Sequence, residues 1–301
     1  MSRCEHVLAM AVLYKLQSAR EARVASLSVS IPDLRTAALC DALARFLGGS
    51  GSRNVAPIAM SERQMQALTS TPMADAVLGE RTSTGEPRYP QGIKKRNDTA
   101  EVPAMIRNGI SAQQPDNGVV VVAGSLSNIA AAMALPDVID LAPKRVRALV
   151  IAATAEDLRL DLVSVRKVLA DWPSQVVFVE APGLAFPSAQ LDTRFAWTMN
   201  HPVREAYKAF QAMPYDAPLQ SAVGALYAAR PASDLFALSS GGVIEVMDNG
   251  SIRFQQSASG TRKMLRIAAN QQDAAIEALV ELVTAKPAPA PPGRGRGGPQ
   301  E

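Results

Sequence analysis

What most constrains this chain is a series of short, continuous apolar runs set between segments of helical period. The runs are VVVVA at 119–123, VRALVIAA at 146–153 and VVFVE at 176–180. A strand with one wet face alternates apolar and polar residues; a strand covered on both faces does not. Between the runs lie predicted helices at Thr99–Ala112, with Pro103 in its first turn, from Leu126 towards Leu135, and at Asp161–Trp172. Strand and helix in alternation predict an α/β fold: an open, mostly parallel, Rossmann-like sheet flanked by helices, not a barrel of short alternating strands.

The flanks extend this pattern. RVASLSVS at 23–30 reads as a buried strand, Asp33–Leu47 as a helix ended by the run Gly48–Ser52, and Val55–Met60 as a short strand. Residues 61–96 are mixed in character and read as a long loop. Further helices are predicted at Val203–Met213 and Ser221–Arg230. After Pro231 the pattern changes to a β-hairpin, Val243–Met247 and Ile252–Gln256 around Asp248-Asn249-Gly250, then a final amphipathic helix at Gln271–Ala285. The expected organisation is one α/β domain over 1–285 and a solvated Pro/Gly/Arg tail, KPAPAPPGRGRGGPQE, within 286–301.

Composition narrows the function classes. Hydrophobic residues make up 48% of 301 and charged residues 20%, ordinary globular usage that excludes a disordered or coiled-coil chain. A net charge of +3 is too small to imply a nucleic-acid or membrane-surface protein. Two cysteines, Cys4 and Cys40, cannot staple a chain this long and read as small buried hydrophobes. No apolar run reaches the ~18–20 residues of a spanning helix. Val7–Leu16 has the length of a signal-peptide core, but Glu5, His6 and Lys15 argue for a buried first helix and, with it, a cytoplasmic protein.

Motifs for chemistry are sparse. Gly48–Ser52 follows a helix and not a strand, so it is no phosphate loop. The two histidines, His6 and His201, are far apart in sequence, and no zinc spacing or nucleophile elbow is present. The best local candidate is Gly124-Ser125-Leu126-Ser127-Asn128, at the carboxyl end of VVVVA, where open α/β sheets bind ligands. Its amides and hydroxyls suit an anion, a sugar or a metal; the plainer reading is a helix start capped by Ser125 or Ser127. Asn97-Asp98 divides in the same way, between a pocket residue and a cap before Thr99.

VVVVAGSLSNIAAAMALPDV resembles the inosine/uridine-preferring nucleoside hydrolase family, in which a Gly-Pro-Leu-Thr-Asn-like turn follows a central strand. CEHVLAMAVLYKLQS is similar to that family's first helix. KKRNDTAEVPAMIRNGISAQQ, ADWPSQVVFVE, FAWTMNHPVREAYKAF and MPYDAPLQSAVGALYAARP extend the likeness over residues 3–285. The resemblance implies a calcium-dependent hydrolase of N-glycosidic bonds in ribonucleosides. An Asp-rich opening loop would hold Ca²⁺, and an aspartate would act as base on a water.

Carried over residue by residue, the motif is incomplete. Its last two aspartates fall on Glu5 and His6, and His6 is a poor calcium ligand. The Thr that supplies a backbone carbonyl falls on Ser127. A later aspartate falls on Ser221, with Asp216 five positions earlier as a substitute. The Glu-Phe-Asn substrate segment falls on TAEDLRL at 154–160, which has no Asn, and the loop at 181–188 is short. The expected site is therefore Glu5 and Ser127 as metal ligands and Asn97 and Asn128 as substrate-binding residues, with no catalytic residue assigned. Calcium binding is expected to be weak or absent.

The family's opening central strand falls before Met1. That leaves a mis-started gene, a decaying gene or a chain completed by a partner's strand as readings. The function expected is a weak or inactive nucleoside hydrolase-like protein, a pseudoenzyme or truncated form. Its alternative is a non-catalytic ligand-binding or subunit protein of the same fold. The only partner expected is a small-molecule nucleoside; homo-oligomerisation stays open.

Overall fold

The computed structural model describes residues 3–48, 55–62 and 72–286. In chain order come α1 (Cys4–Ser18), β1 (Leu27–Val29), α2 (Leu34–Leu47), β2 (Ile58–Met60), α3 (Pro72–Gly79), α4 (Val102–Ser111), β3 (Gly118–Val122), α5 (Ser127–Ala132), α6 (Pro136–Arg145), β4 (Val146–Ile151), α7 (Ala155–Arg159), α8 (Leu162–Asp171) and β5 (Val176–Val179). They are followed by β6 (Ala185–Phe186), α9 (Leu191–Arg194), α10 (Pro202–Phe210), β7 (Ala217–Pro218), α11 (Gln220–Ala229), β8 (Phe236–Leu238), β9 (Gly242–Val246), β10 (Ile252–Gln256), β11 (Arg262–Ile267) and α12 (Gln272–Thr284).

The three apolar runs lie side by side. β3, β4, β5 and β11 are parallel neighbours, with Val121 opposite Val150 and Val150 opposite Val177. β8 and β9 join β11 antiparallel, and β9 carries the hairpin partner β10. Successive residues of β4 and β5 serve opposite cores. Val150, Val177 and Val179 face a layer built by α1, α2, α11 and α12. Leu149, Ile151, Val176 and Phe178 face a layer built by α4, α5 and α8. Two-sided burial is why these strands read as unbroken apolar runs. α1 is buried along most of its length, with Val7, Leu8, Val12 and Leu16 fully covered. None of the described helices is long and apolar enough to cross a membrane.

The structure corrects several boundaries. The strand expected over 23–30 pairs only at Leu27–Val29. The loop expected over 61–96 contains α3 and a 3₁₀ turn at Arg96–Asp98; residues 63–71 of it lie outside the described residues, as do 49–54 and the tail from 287. Asp98 does not cap the following helix: its carboxylate accepts from the Lys94 and Lys95 amides, and Glu101 caps α4 through Ala104 N at 2.8 Å. The apolar stretch after Asn128 is divided into α5 and α6 ahead of Pro136, a residue suited to a helix's first turn. β11, hidden in the mixed sequence Arg262–Ile267, was not anticipated.

β1 pairs with β2 in a separate two-stranded sheet, and β3 ends the larger sheet with no strand on its far edge among the described residues. Between these two edges runs a groove of about 1310 Å³. Its walls include residues 23–31 of the β1 segment and 118–125 of the β3 segment. Val119, Val120 and Val121 are only partly buried as a result.

Candidate functional site

The carboxyl ends of β3 and β4 converge on the amino ends of α1, α7 and α11, the location expected for a ligand in an open α/β sheet. α1 presents Glu5 and His6 from its first turn. Thr154, just past β4, caps α7 in a reciprocal box: its hydroxyl accepts from Asp157 N at 3.3 Å, and Asp157 Oδ2 accepts from Thr154 N at 3.1 Å and Thr154 Oγ1 at 2.7 Å. This fixes the buried Asp157 carboxylate beside α1.

Glu5, His6 and Asp157 each place one ligand-capable atom within 4.8 Å of the others, a grouping found among the described residues. Glu5 is 1% exposed. Its Oε2 lies 3.4 Å from Ser221 Oγ, whose hydroxyl also points at Ala152 O, 3.2 Å away. Glu5 Oε1 has no hydrogen-bond partner. His6 lies against the backbone of Ala123, and its Nε2 is buried without a hydrogen-bond partner. Arg3 is the nearby cation. Its Nε is 3.9 Å from Glu5 Oε1 and 3.6 Å from Asp157 Oδ1, and its close contact is with the exposed Glu156.

Burial governs the protonation of this cluster. It pushes the Glu5 carboxyl up to about 7, helped by the Asp157 charge and opposed by Arg3. It holds His6 down at about 4, against the pull of Asp157. The neighbouring Cys4 thiol is pushed up to about 12 by burial, which makes it an inert core residue.

The expected site residues separate. Glu5 stands in the cluster, and Asn128, 5% exposed, lines the groove with Ser125. Ser127 is buried in the first turn of α5, its amide bonded to Ser125 Oγ at 3.2 Å. Asn97 is exposed in the 3₁₀ turn and does not line the groove. Asp216 is exposed and accepts from Ser188 N at 2.8 Å, so it serves a turn and not the cluster. Ser221 does reach Glu5. The residues that reading the sequence missed are Arg3 and Asp157. A signal for Asp157 existed: Thr154-Ala155-Glu156-Asp157 is a capping box directly after an apolar strand.

No protein-family model matches the sequence, and no curated protein matches it. Solved structures do match in three dimensions. An inosine-uridine preferring nucleoside hydrolase from Bacillus anthracis is 12% identical with a TM-score of 0.67, the match covering 94% of this chain and 96% of that one. An inosine-guanosine nucleoside hydrolase is 14% identical with a TM-score of 0.66, covering 93% and 96%. A plant nucleoside hydrolase is 16% identical with a TM-score of 0.65, again covering 93% and 96%. Likeness across nearly the whole of both chains, with the sheet order and helical layers described above, establishes that this chain has a nucleoside hydrolase-like fold.

Proposed function

We propose that this chain is a nucleoside hydrolase-like protein whose hydrolysis of ribonucleoside N-glycosidic bonds is weak or absent. The observation that carries this reading is the donor set Glu5, His6 and Asp157, beside which Arg3 Nε stands 3.9 Å from Glu5 Oε1 and 3.6 Å from Asp157 Oδ1. The two buried carboxylates already share a cation. Calcium takes about 6–8 oxygen ligands, several of them anionic. Here the donors are two carboxylates, one of them tied up by Thr154, and an imidazole nitrogen. That set does not fit calcium, the ion the resemblance implies.

The test is release of free base from inosine and from uridine by the full chain with calcium present. The expected rate is at or barely above a no-protein control. Chelator-sensitive release at an ordinary enzymatic turnover, on the order of 1 s⁻¹ or faster, overturns the reading.

A second reading, a subunit completed by a strand of another polypeptide, is favoured by the groove between β1 and β3. Each wall is a strand edge with its backbone groups facing an open slot. An occupant must satisfy both rows, which an extended peptide does and a nucleoside does not. On this reading the amides among residues 119–122 that face the groove, alternate with those bonded to β4, exchange rapidly with solvent in the isolated chain. Strong protection there, without any added polypeptide, removes it.

A further inference from the structure

We propose that Glu5, His6 and Asp157 form a binding site for a first-row transition-metal dication of the zinc type. The proposal stands whether or not the chain cleaves nucleosides. The same donor set that fails calcium suits such an ion. Zinc accepts imidazole nitrogen and carboxylate oxygen together, and three protein ligands with one open position make a complete site of the kind that holds a water.

Two unpartnered atoms point to a missing ligand. Glu5 is 1% exposed, yet its Oε1 accepts no hydrogen bond. A buried carboxylate oxygen left without a donor is costly, and such atoms call for a partner. His6 Nε2 is in the same position: it is buried and has no hydrogen-bond partner. Asp157 is oriented by its box with Thr154. The three ligand atoms lie within 4.8 Å of one another. Zinc–ligand bonds of about 2.0–2.2 Å bring tetrahedral ligand atoms to about 3.3 Å apart, so small side-chain rotations close the site.

Arg3 sets the affinity. Its separations of 3.6 and 3.9 Å from the two carboxylates exceed hydrogen-bond length, and it is held outward by Glu156. The guanidinium can stay on Glu156 while a dication enters. Replacing Arg3 by a neutral residue removes one positive charge that opposes an arriving dication.

The test uses the tag-free full chain. His6 and His201 are its only histidines, so the imidazole NMR spectrum has two ring systems. One equivalent of Zn²⁺ is expected to shift the His6 ring and leave His201 in place, while millimolar Ca²⁺ fails to reverse the change. In calorimetric titration, His6→Gln and Glu5→Gln are expected each to weaken Zn²⁺ at least tenfold, and Arg3→Gln to tighten it. An unmoved His6 resonance, unchanged affinity in His6→Gln, or displacement of Zn²⁺ by equimolar Ca²⁺ overturns the proposal. The wild-type NMR result does not depend on any variant folding.

Discussion

The ring of His201 lies 4.6 Å, centroid to centroid, from that of Phe195, and neither imidazole nitrogen has a hydrogen-bond partner. Phe46 and Trp197 close the cage edge-on at 4.9 and 5.6 Å. The residue is fully buried, and burial alone depresses its pKa from 6.5 to about 3. The imidazole is therefore neutral in the folded chain, while the unfolded chain protonates near 6.5. Stability is complete above that value and is lost as pH falls from about 6.5 towards about 3, at ~1.4 kcal/mol per pH unit. In urea titrations at pH 7.5 and 5.0, His201→Phe is expected to lose roughly 2 kcal/mol less than wild type over that interval. Equal losses would show that the ring is not neutral in the fold.

α11 is drawn onto the sheet by the absence of a side chain at Gly224. A Cβ there would stand 2.6 Å from the Ala152 methyl, closer than real Cβ atoms come. Neither group has a flexible end to move aside, so the helix must lift. Gly224→Ala is expected to cost about 1–3 kcal/mol by overpacking, more than the ~1 kcal/mol that alanine gains in helix propensity. Combining it with Ala152→Gly restores the space, and the double variant is expected to melt nearer to wild type than Gly224→Ala does. A double variant no better than the single one would place the strain elsewhere.

The sheet was legible because β4 and β5 are buried on both faces, which writes their positions as apolar runs. β11 was not legible, because Arg262, Lys263 and Arg266 interrupt it. Its covered side chains are Met264 and Leu265, and the Arg262 guanidinium folds back onto the Leu169 and Trp172 carbonyls. That contact is set by tertiary position and leaves no periodic trace. In the candidate site, Glu5 and Ser221 were read onto one centre and do meet there. Asp157 and Arg3 were missed because they reach it from a short helix and from the start of α1, a juxtaposition no local pattern encodes. Asn97 lies on an exposed turn away from the groove, and a polar pair in a basic loop carries no local signal that separates a pocket residue from a turn residue.

Tyr207 anchors the loop between α10 and α11. Its hydroxyl is 2.7 Å from Tyr215 O and 3.1 Å from Phe186 O, and it accepts from Ala217 N at 3.2 Å. The side chain is fully buried, so Tyr207→Phe leaves an amide and a carbonyl without their partner. The expected cost is about 1–3 kcal/mol in chemical denaturation. A loss below ~0.5 kcal/mol would mean that water replaces the hydroxyl.

Thermal unfolding with calcium tests the reading of the cluster most directly. A ligand bound only by the folded state adds ~2.7 kcal/mol at a hundred times its Kd. For a domain of this size that corresponds to a rise in Tm of roughly 5 °C or more. A site of micromolar affinity would therefore reveal itself at submillimolar calcium. Here an arriving Ca²⁺ meets an imidazole nitrogen, a carboxylate held by Thr154, and a guanidinium within 4 Å of both acidic groups. The expected result is a Tm unchanged within error up to millimolar calcium. Arg3→Gln is expected to stay unresponsive as well, because removing the cation supplies charge but none of the missing oxygens. A saturable rise in wild type would show that the carboxylates reorganise around calcium. A rise confined to Arg3→Gln would show that charge, and not ligand number, is what excludes the ion.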